Sequence, residues 1–236
     1  MRVHGPKLFG DWRDFGREYA IIVLGVLTAL LAQSVAEDLN WRHKVKVADS
    51  EMSNELSAGD GPQAYVRVAI HDCVTARLDD IRKAVESSDR LRSRELIDSF
   101  WTPNRTWDSL ARDAASASDV ASHMPHNKMF QFRLVYNMIP SMQRLGEREL
   151  ADRGTLRALP ASGGALDTSE KLAALDAVES LRIDNDAMDR ESQFVLRHIR
   201  SLGIGLDSAI VRAQIGEARP HFGECLNEAT RVVSRS

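Results

Sequence analysis

Apolar and polar positions follow a helical period along almost the whole chain, and one stretch departs from it. Tyr19 to Ala32 carries no charge and little that is polar, so a helix built from it has no polar face to turn to water. These residues cover about 21 Å at the helical rise, and adding Gln33-Ser34-Val35-Ala36 approaches the roughly 30 Å of a bilayer's hydrocarbon core. The pattern predicts a transmembrane helix over residues 19–36, with the lipid bilayer as first partner. The alternative is a secretory signal cleaved after Ala36, because Ser34-Val35-Ala36 supplies the small residues a signal peptidase requires. Asp11, Asp14 and Glu18 in the leading segment argue for the anchor. So does the apolar spacing that continues through Trp41, Val45, Ala48, Met52 and Leu56.

The remaining pattern divides the chain into segments. Residues 1–18 interleave Leu8, Phe9, Trp12 and Phe15 with charges, as a cytoplasmic or interfacial segment does. A stalk helix is expected over 37–61, stopping at Ser57-Ala58-Gly59-Asp60-Gly61-Pro62, followed by a helical bundle over 62–236. Val66, Ile70, Val74, Leu78, Ile81 and Val85 predict a one-faced helix. A shorter helix follows over Leu91 to Trp101, then a turn at Thr102-Pro103-Asn104, with Trp101 and Trp107 plugging an end of the bundle. Phe130 to Leu145 reads as a buried helix that Pro140 must kink or split near Tyr136.

Pro160-Ala161-Ser162-Gly163-Gly164 is a linker, and Asp167 with Glu170 forms a capping box for a helix reaching Leu202. Along that helix Val178, Leu181, Asn185, Met188, Ser192, Val195, Ile199 and Leu202 alternate steps of three and four. This is the repeat of a coiled-coil seam, and a candidate surface for a partner. Asp207 caps the next helix and Pro220 opens a last segment bearing Phe222, Cys225 and Leu226. Strand signals are nearly absent, so the fold class is all-α: an N-terminal transmembrane helix continuing into a stalk, then a bundle of about five to seven helices.

A net charge of −3 without a basic stripe argues against a nucleic-acid partner. Arg2, Lys7, Arg13 and Arg17 precede the apolar stretch and Arg42, Lys44 and Lys46 follow it, a slight bias that puts the N-terminus in the cytoplasm. Cys73 and Cys225 then lie in an oxidising compartment, where a disulfide between them is the simplest reading. Unpaired buried thiols, or a metal shared with His71 and His221, are the alternatives. Residues two apart on a helix diverge, which argues against the metal. His123-Met124-Pro125-His126 reads as a solvated loop and His198 as structural. No catalytic residue, metal ligand or cofactor site is expected.

The run Glu18-Tyr19-Ala20-Ile21-Ile22-Val23-Leu24-Gly25-Val26-Leu27-Thr28-Ala29-Leu30, with Trp41 after the membrane, resembles a group of uncharacterised single-pass inner-membrane proteins of proteobacteria. The likeness covers residues 17 to 42. It implies a helical domain in the periplasm and no particular activity. Together these features suggest a membrane-anchored interaction or scaffold module, self-associating or docking another membrane protein. The alternative is a periplasmic small-molecule sensor acting through a partner, with the kinked Phe130–Leu145 helix lining its pocket.

Overall fold

The computed structural model describes residues 12–103, 106–159 and 165–233. Leu8 and Phe9 of the leading segment, Asn104 of the predicted turn and the linker 160–164 lie outside the described residues. The architecture is all-α, with no strand among the described residues. In chain order the helices are α1 (Trp12–Glu55), α2 (Gly61–Glu86), α3 (Arg90–Ser99), α4 (Leu110–Ala117), α5 (Val120–His123), α6 (His126–Tyr136), α7 (Ile139–Arg157), α8 (Thr168–Ser201) and α9 (Ser208–Val233).

The chain divides into two compact units, Met1–Val47 and Ala48–Ser236. In the first, the apolar stretch of α1 is long and apolar enough to cross a membrane, and none of it is buried. Ile21, Ile22, Leu24, Leu27, Leu30 and Leu31 are all more than half exposed. Thr28 donates its hydroxyl to the Leu24 carbonyl at 2.8 Å, so this side chain's polar group is satisfied inside the helix. Beyond the apolar stretch the surface turns polar, with Asp38 and Arg42 paired at 2.7 Å and Lys44 lying over the Trp41 ring.

The second unit begins earlier than the expected boundary at residue 62, because Ala48, Met52 and Leu56 are buried in its core. Nor does the backbone stop at the run of turn-forming residues. Leu56–Asp60 forms a π-helical turn in which the Gly61 amide reaches the Leu56 carbonyl, and both Asp60 and Gly61 keep right-handed helical angles. The wider turn frees polar groups that the loop after α8 takes up. Ser57 Oγ donates to the Gly205 carbonyl, and the Ser57 carbonyl accepts from the Asp207 amide at 2.9 Å. Gly61 is present for closeness rather than as a breaker: a Cβ there would overlap the Leu56 carbonyl and lie 2.5 Å from Leu206 Cδ2 and 3.2 Å from Ile199 Cδ1.

α2 is the central element, packing on α3, α8 and α9 while α7 and α6 pack on α8. Its predicted stripe from Val66 to Val85 is buried throughout. The predicted partner seam is corrected by the same packing. Leu181, Asn185, Met188, Val195 and Ile199 are buried in this domain and Leu202 half-buried, so α8 spends its repeat on α2, α6 and α7. Asn185 donates to the His71 carbonyl and to Thr75 Oγ1, each at 3.1 Å, which explains a polar residue inside that stripe.

Local signals act as expected at several joints. The helix bearing Pro140 splits into α6 and α7, with Pro140 in the first turn of α7, where its missing amide costs nothing. Asp167 and Glu170 form the reciprocal capping box of α8, and Asp207 accepts from the Ala209 and Ile210 amides. Pro220 differs: the helical run passes through it and leaves helical geometry at Gly223 (φ 52°, ψ −126°), a left-handed φ that glycine adopts without strain. Cys73 and Cys225 are joined in a disulfide with Cα atoms 5.8 Å apart, fastening α9 to α2.

Alanine has the better helix propensity, yet Gly61→Ala is expected to destabilise the domain by about 1–3 kcal/mol through overpacking. A lower urea midpoint for the full chain in detergent checks this; an unchanged or raised midpoint refutes the packing argument.

Candidate functional site

The chain between α3 and α4 is held at its ends by apolar side chains, Phe100 and Trp101 on one side and Trp107 on the other, and carbonyls of its irregular backbone lie against the bundle, where each needs a donor. Two helices supply these donors. From α2, Arg67 donates Nη2 to the Pro103 carbonyl at 2.8 Å. From α7, Arg153 donates Nη1 to Thr102 Oγ1 at 2.9 Å and to the Thr102 carbonyl at 3.3 Å, and Gln143 donates to the Trp107 carbonyl at 2.7 Å. Trp107, 2 % exposed, provides the apolar anchor.

Arg67 also forms a bidentate pair with Glu149 of α7, Nη1 to Oε1 at 3.0 Å and Nη2 to Oε2 at 2.7 Å, with both side chains almost wholly buried. The fork-to-fork geometry satisfies charge and direction together. Between these elements lies a recess of about 270 Å³. Its walls are Arg67 from α2, Thr102, Pro103, Thr106 and Trp107 from the connection, and Gln143, Gly146, Glu147, Glu149, Leu150 and Arg153 from α7. The Nε atoms of Arg67 and Arg153 are buried without a hydrogen-bond partner. Burial depresses the Arg153 pKa below the usual guanidinium range, and the nearby Arg157 and Arg67 cations add to this while Glu149 opposes it.

A second polar cluster sits beneath the other end of the connection. The Glu55 carboxylate accepts from the Ala111 amide at 2.8 Å and Asp60 from the Asp108 amide at 3.2 Å. Tyr136, with Arg112 5.6 Å from its ring centre, faces Glu55 without closing a hydrogen bond of ordinary geometry. Glu55 Oε1, Asp60 Oδ2 and the Tyr136 hydroxyl are buried and unpaired. Burial raises the Asp60 pKa to about 7, against the lowering effect of the Asp108 amide and with the help of the Glu55 and Asp108 charges. The Tyr136 hydroxyl is likewise pushed up, by burial first and then by Glu55.

The residues weighed for metal binding are employed elsewhere. His71 contacts Asp72 at 2.8 Å and Asp186 at 3.0 Å. Burial lowers its pKa, but these hydrogen bonds outweigh that and the net direction is up. His221 stacks on the Trp101 ring at 4.7 Å, and Cys73 and Cys225 are oxidised to the disulfide. Among the described residues no group of three or more His, Cys, Asp or Glu side chains is arranged to hold a metal. Of the Phe130–Leu145 stretch expected to line a pocket, only Gln143 reaches the recess. Arg67, Glu149 and Arg153 were not singled out by pattern, although a signal existed. Glu149 and Arg153 fall in the spacing of Met142, Leu145 and Leu156, placing charges in register with the buried face of α7.

Two outcomes follow from these clusters. Glu149→Gln strands the Arg67 charge in the interior, and a loss of about 3–5 kcal/mol is expected. The double replacement Arg67→Met with Glu149→Leu recovers part of it, since no charge is left unpaired; denaturant titration of the three proteins decides. For Asp60, the unfolded carboxyl releases its proton near pH 4 and the folded one near 7. The folded state therefore binds more protons between these values, and stability falls as pH rises through that window, by at most about 4 kcal/mol. His71, with its raised pKa, contributes in the same direction. Unfolding midpoints at pH 5 and pH 8 should differ in this sense, and Asp60→Asn should remove most of the difference.

Compared with known proteins, the chain matches no family model, no curated protein and no solved structure.

Proposed function

We propose that the protein is a membrane-anchored helical module that binds a small molecule in the recess between α2, α7 and the α3–α4 connection, and acts as a sensor through a membrane partner. The observation that carries this reading is a recess of about 270 Å³ bordered by buried, hydrogen-bonded charges. Ligand sites combine an enclosing wall with a few fixed polar groups in this way. The apolar stretch of α1 serves as the anchor, in keeping with the absence of buried residues along it. The charge bias around it favours a cytoplasmic N-terminus and a periplasmic domain in a bacterial inner membrane. The Cys73–Cys225 disulfide supports an oxidising compartment, and the likeness of residues 17–42 to single-pass proteobacterial proteins supports the same address. A scaffold self-associating through the α8 seam is less well supported, because that seam is buried in the domain.

Two measurements test the two parts. The full chain should stay in the membrane pellet after alkaline carbonate extraction and leave it only in detergent; a soluble chain starting at Glu37 refutes the anchor. In nanodiscs, a screen of neutral, cationic and anionic small molecules should find a compound that raises the thermal midpoint. Gly146→Leu, which fills the recess, should abolish that rise; stabilisation indifferent to the substitution refutes the site.

A further inference from the structure

We infer that the recess takes a small monocarboxylate and that Arg153 anchors it; the inference rests on the ligand-binding reading above and adds the chemistry of the ligand. The two buried guanidiniums are not equivalent. The Arg67 charge is matched by Glu149 through two hydrogen bonds. Arg153 is 9 % exposed and has no carboxylate within ion-pair distance among the described residues. Its Nη1 is spent on the neutral acceptors of Thr102, and its Nε has no partner. A cation removed from water without a counter-charge is costly, and the nearby Arg67 and Arg157 charges add to that cost. Glu147 also borders the recess but is exposed and forms no ion pair with Arg153, so what Arg153 lacks is a close counter-charge, which a carboxylate offers to a guanidinium.

The surroundings restrict the ligand further. Glu147 and Glu149 also border the recess, so any anion meets two carboxylates, and a dianion such as phosphate meets about twice the repulsion of a monoanion. Pro103, Trp107 and Leu150 give the remaining wall an apolar character suited to a short hydrocarbon body. At about 270 Å³ the volume falls below that of typical drug-sized sites. The ligand is therefore a compact acid.

The test is calorimetric titration of the full chain in zwitterionic phosphatidylcholine nanodiscs with propionate, benzoate, propionamide and inorganic phosphate. The carboxylates are expected to bind saturably, with propionamide at least about ten-fold weaker through the loss of a charge-assisted hydrogen bond and phosphate weaker through repulsion from Glu147 and Glu149. Arg153→Met should weaken carboxylate binding by a similar factor. Should that variant not fold, Gly146→Leu serves, because a Cβ at Gly146 meets nothing within 4 Å and leucine favours the helix; carboxylate binding should then vanish from a folded protein. Equal binding of propionate and propionamide, carboxylate binding that survives Gly146→Leu, or no saturable binding by either acid overturns the inference. If phosphate or propionamide binds better than the acids and is lost in Gly146→Leu, the carboxylate assignment fails while the ligand-binding reading stands.

Discussion

The Arg67–Glu149 pair ties α2 to α7, two helices that otherwise meet chiefly through α8, on which both pack. Taking both charges out of water costs several kcal/mol each, and their attraction offsets this only when the geometry is good and the remaining donors are used. Here the pair is bidentate and the second Arg67 amino group also reaches the Pro103 carbonyl, which leaves Nε as the one buried Arg67 nitrogen without a partner. Shifting α7 relative to α2 breaks these bonds together, so the pair reinforces a register that packing on α8 sets first. Arg153 stands one turn beyond Glu149 on the same face, and its reach to Thr102 follows from that register. The ion pair forms part of the recess wall.

The α3–α4 connection illustrates how an irregular segment is kept in place by polar contacts as well as by its buried aromatic rings. Its carbonyls at Thr102, Pro103 and Trp107 meet donors from Arg153, Arg67 and Gln143, while its amide at Asp108 and that of Ala111 in the first turn of α4 meet the carboxylates of Asp60 and Glu55. Cations and an amide hold the oxygen-bearing end, and anions hold the nitrogen-bearing end. The π-helical turn contributes to this, since Glu55 and Asp60 flank and close it. The burden of such an arrangement is visible in the unpaired oxygens of Glu55 and Asp60 and in the raised pKa of Asp60.

Period and caps made the fold class readable, because they are local. The apolar stretch of α1, the stripe of α2, the split at Pro140 and the capping box at Asp167 each depend on residues within a few turns of one another. What the eight-position repeat of α8 faces is not local, since a seam for a partner and a seam for the same chain's core have the same spacing. The run from Ser57 to Pro62 misled for a related reason. Gly61 answers to Leu206 and Ile199, far along the chain, rather than to its neighbours. The recess was illegible for the most part: Arg67 and Glu149 are 82 residues apart, and only the charged positions within the buried register of α7 hinted at it.

The disulfide has a consequence for how the molecule comes apart. Cys73 and Cys225 are 152 residues apart in sequence, so nearly all of the bundle lies on a closed covalent ring that α1 joins at a single point. A protease that cuts any one loop between them opens the ring without separating the pieces. Because Cys225 is exposed, shedding of clipped fragments becomes a matter of thiol chemistry: the severed halves stay joined to α1 until a reductant reaches the sulfur.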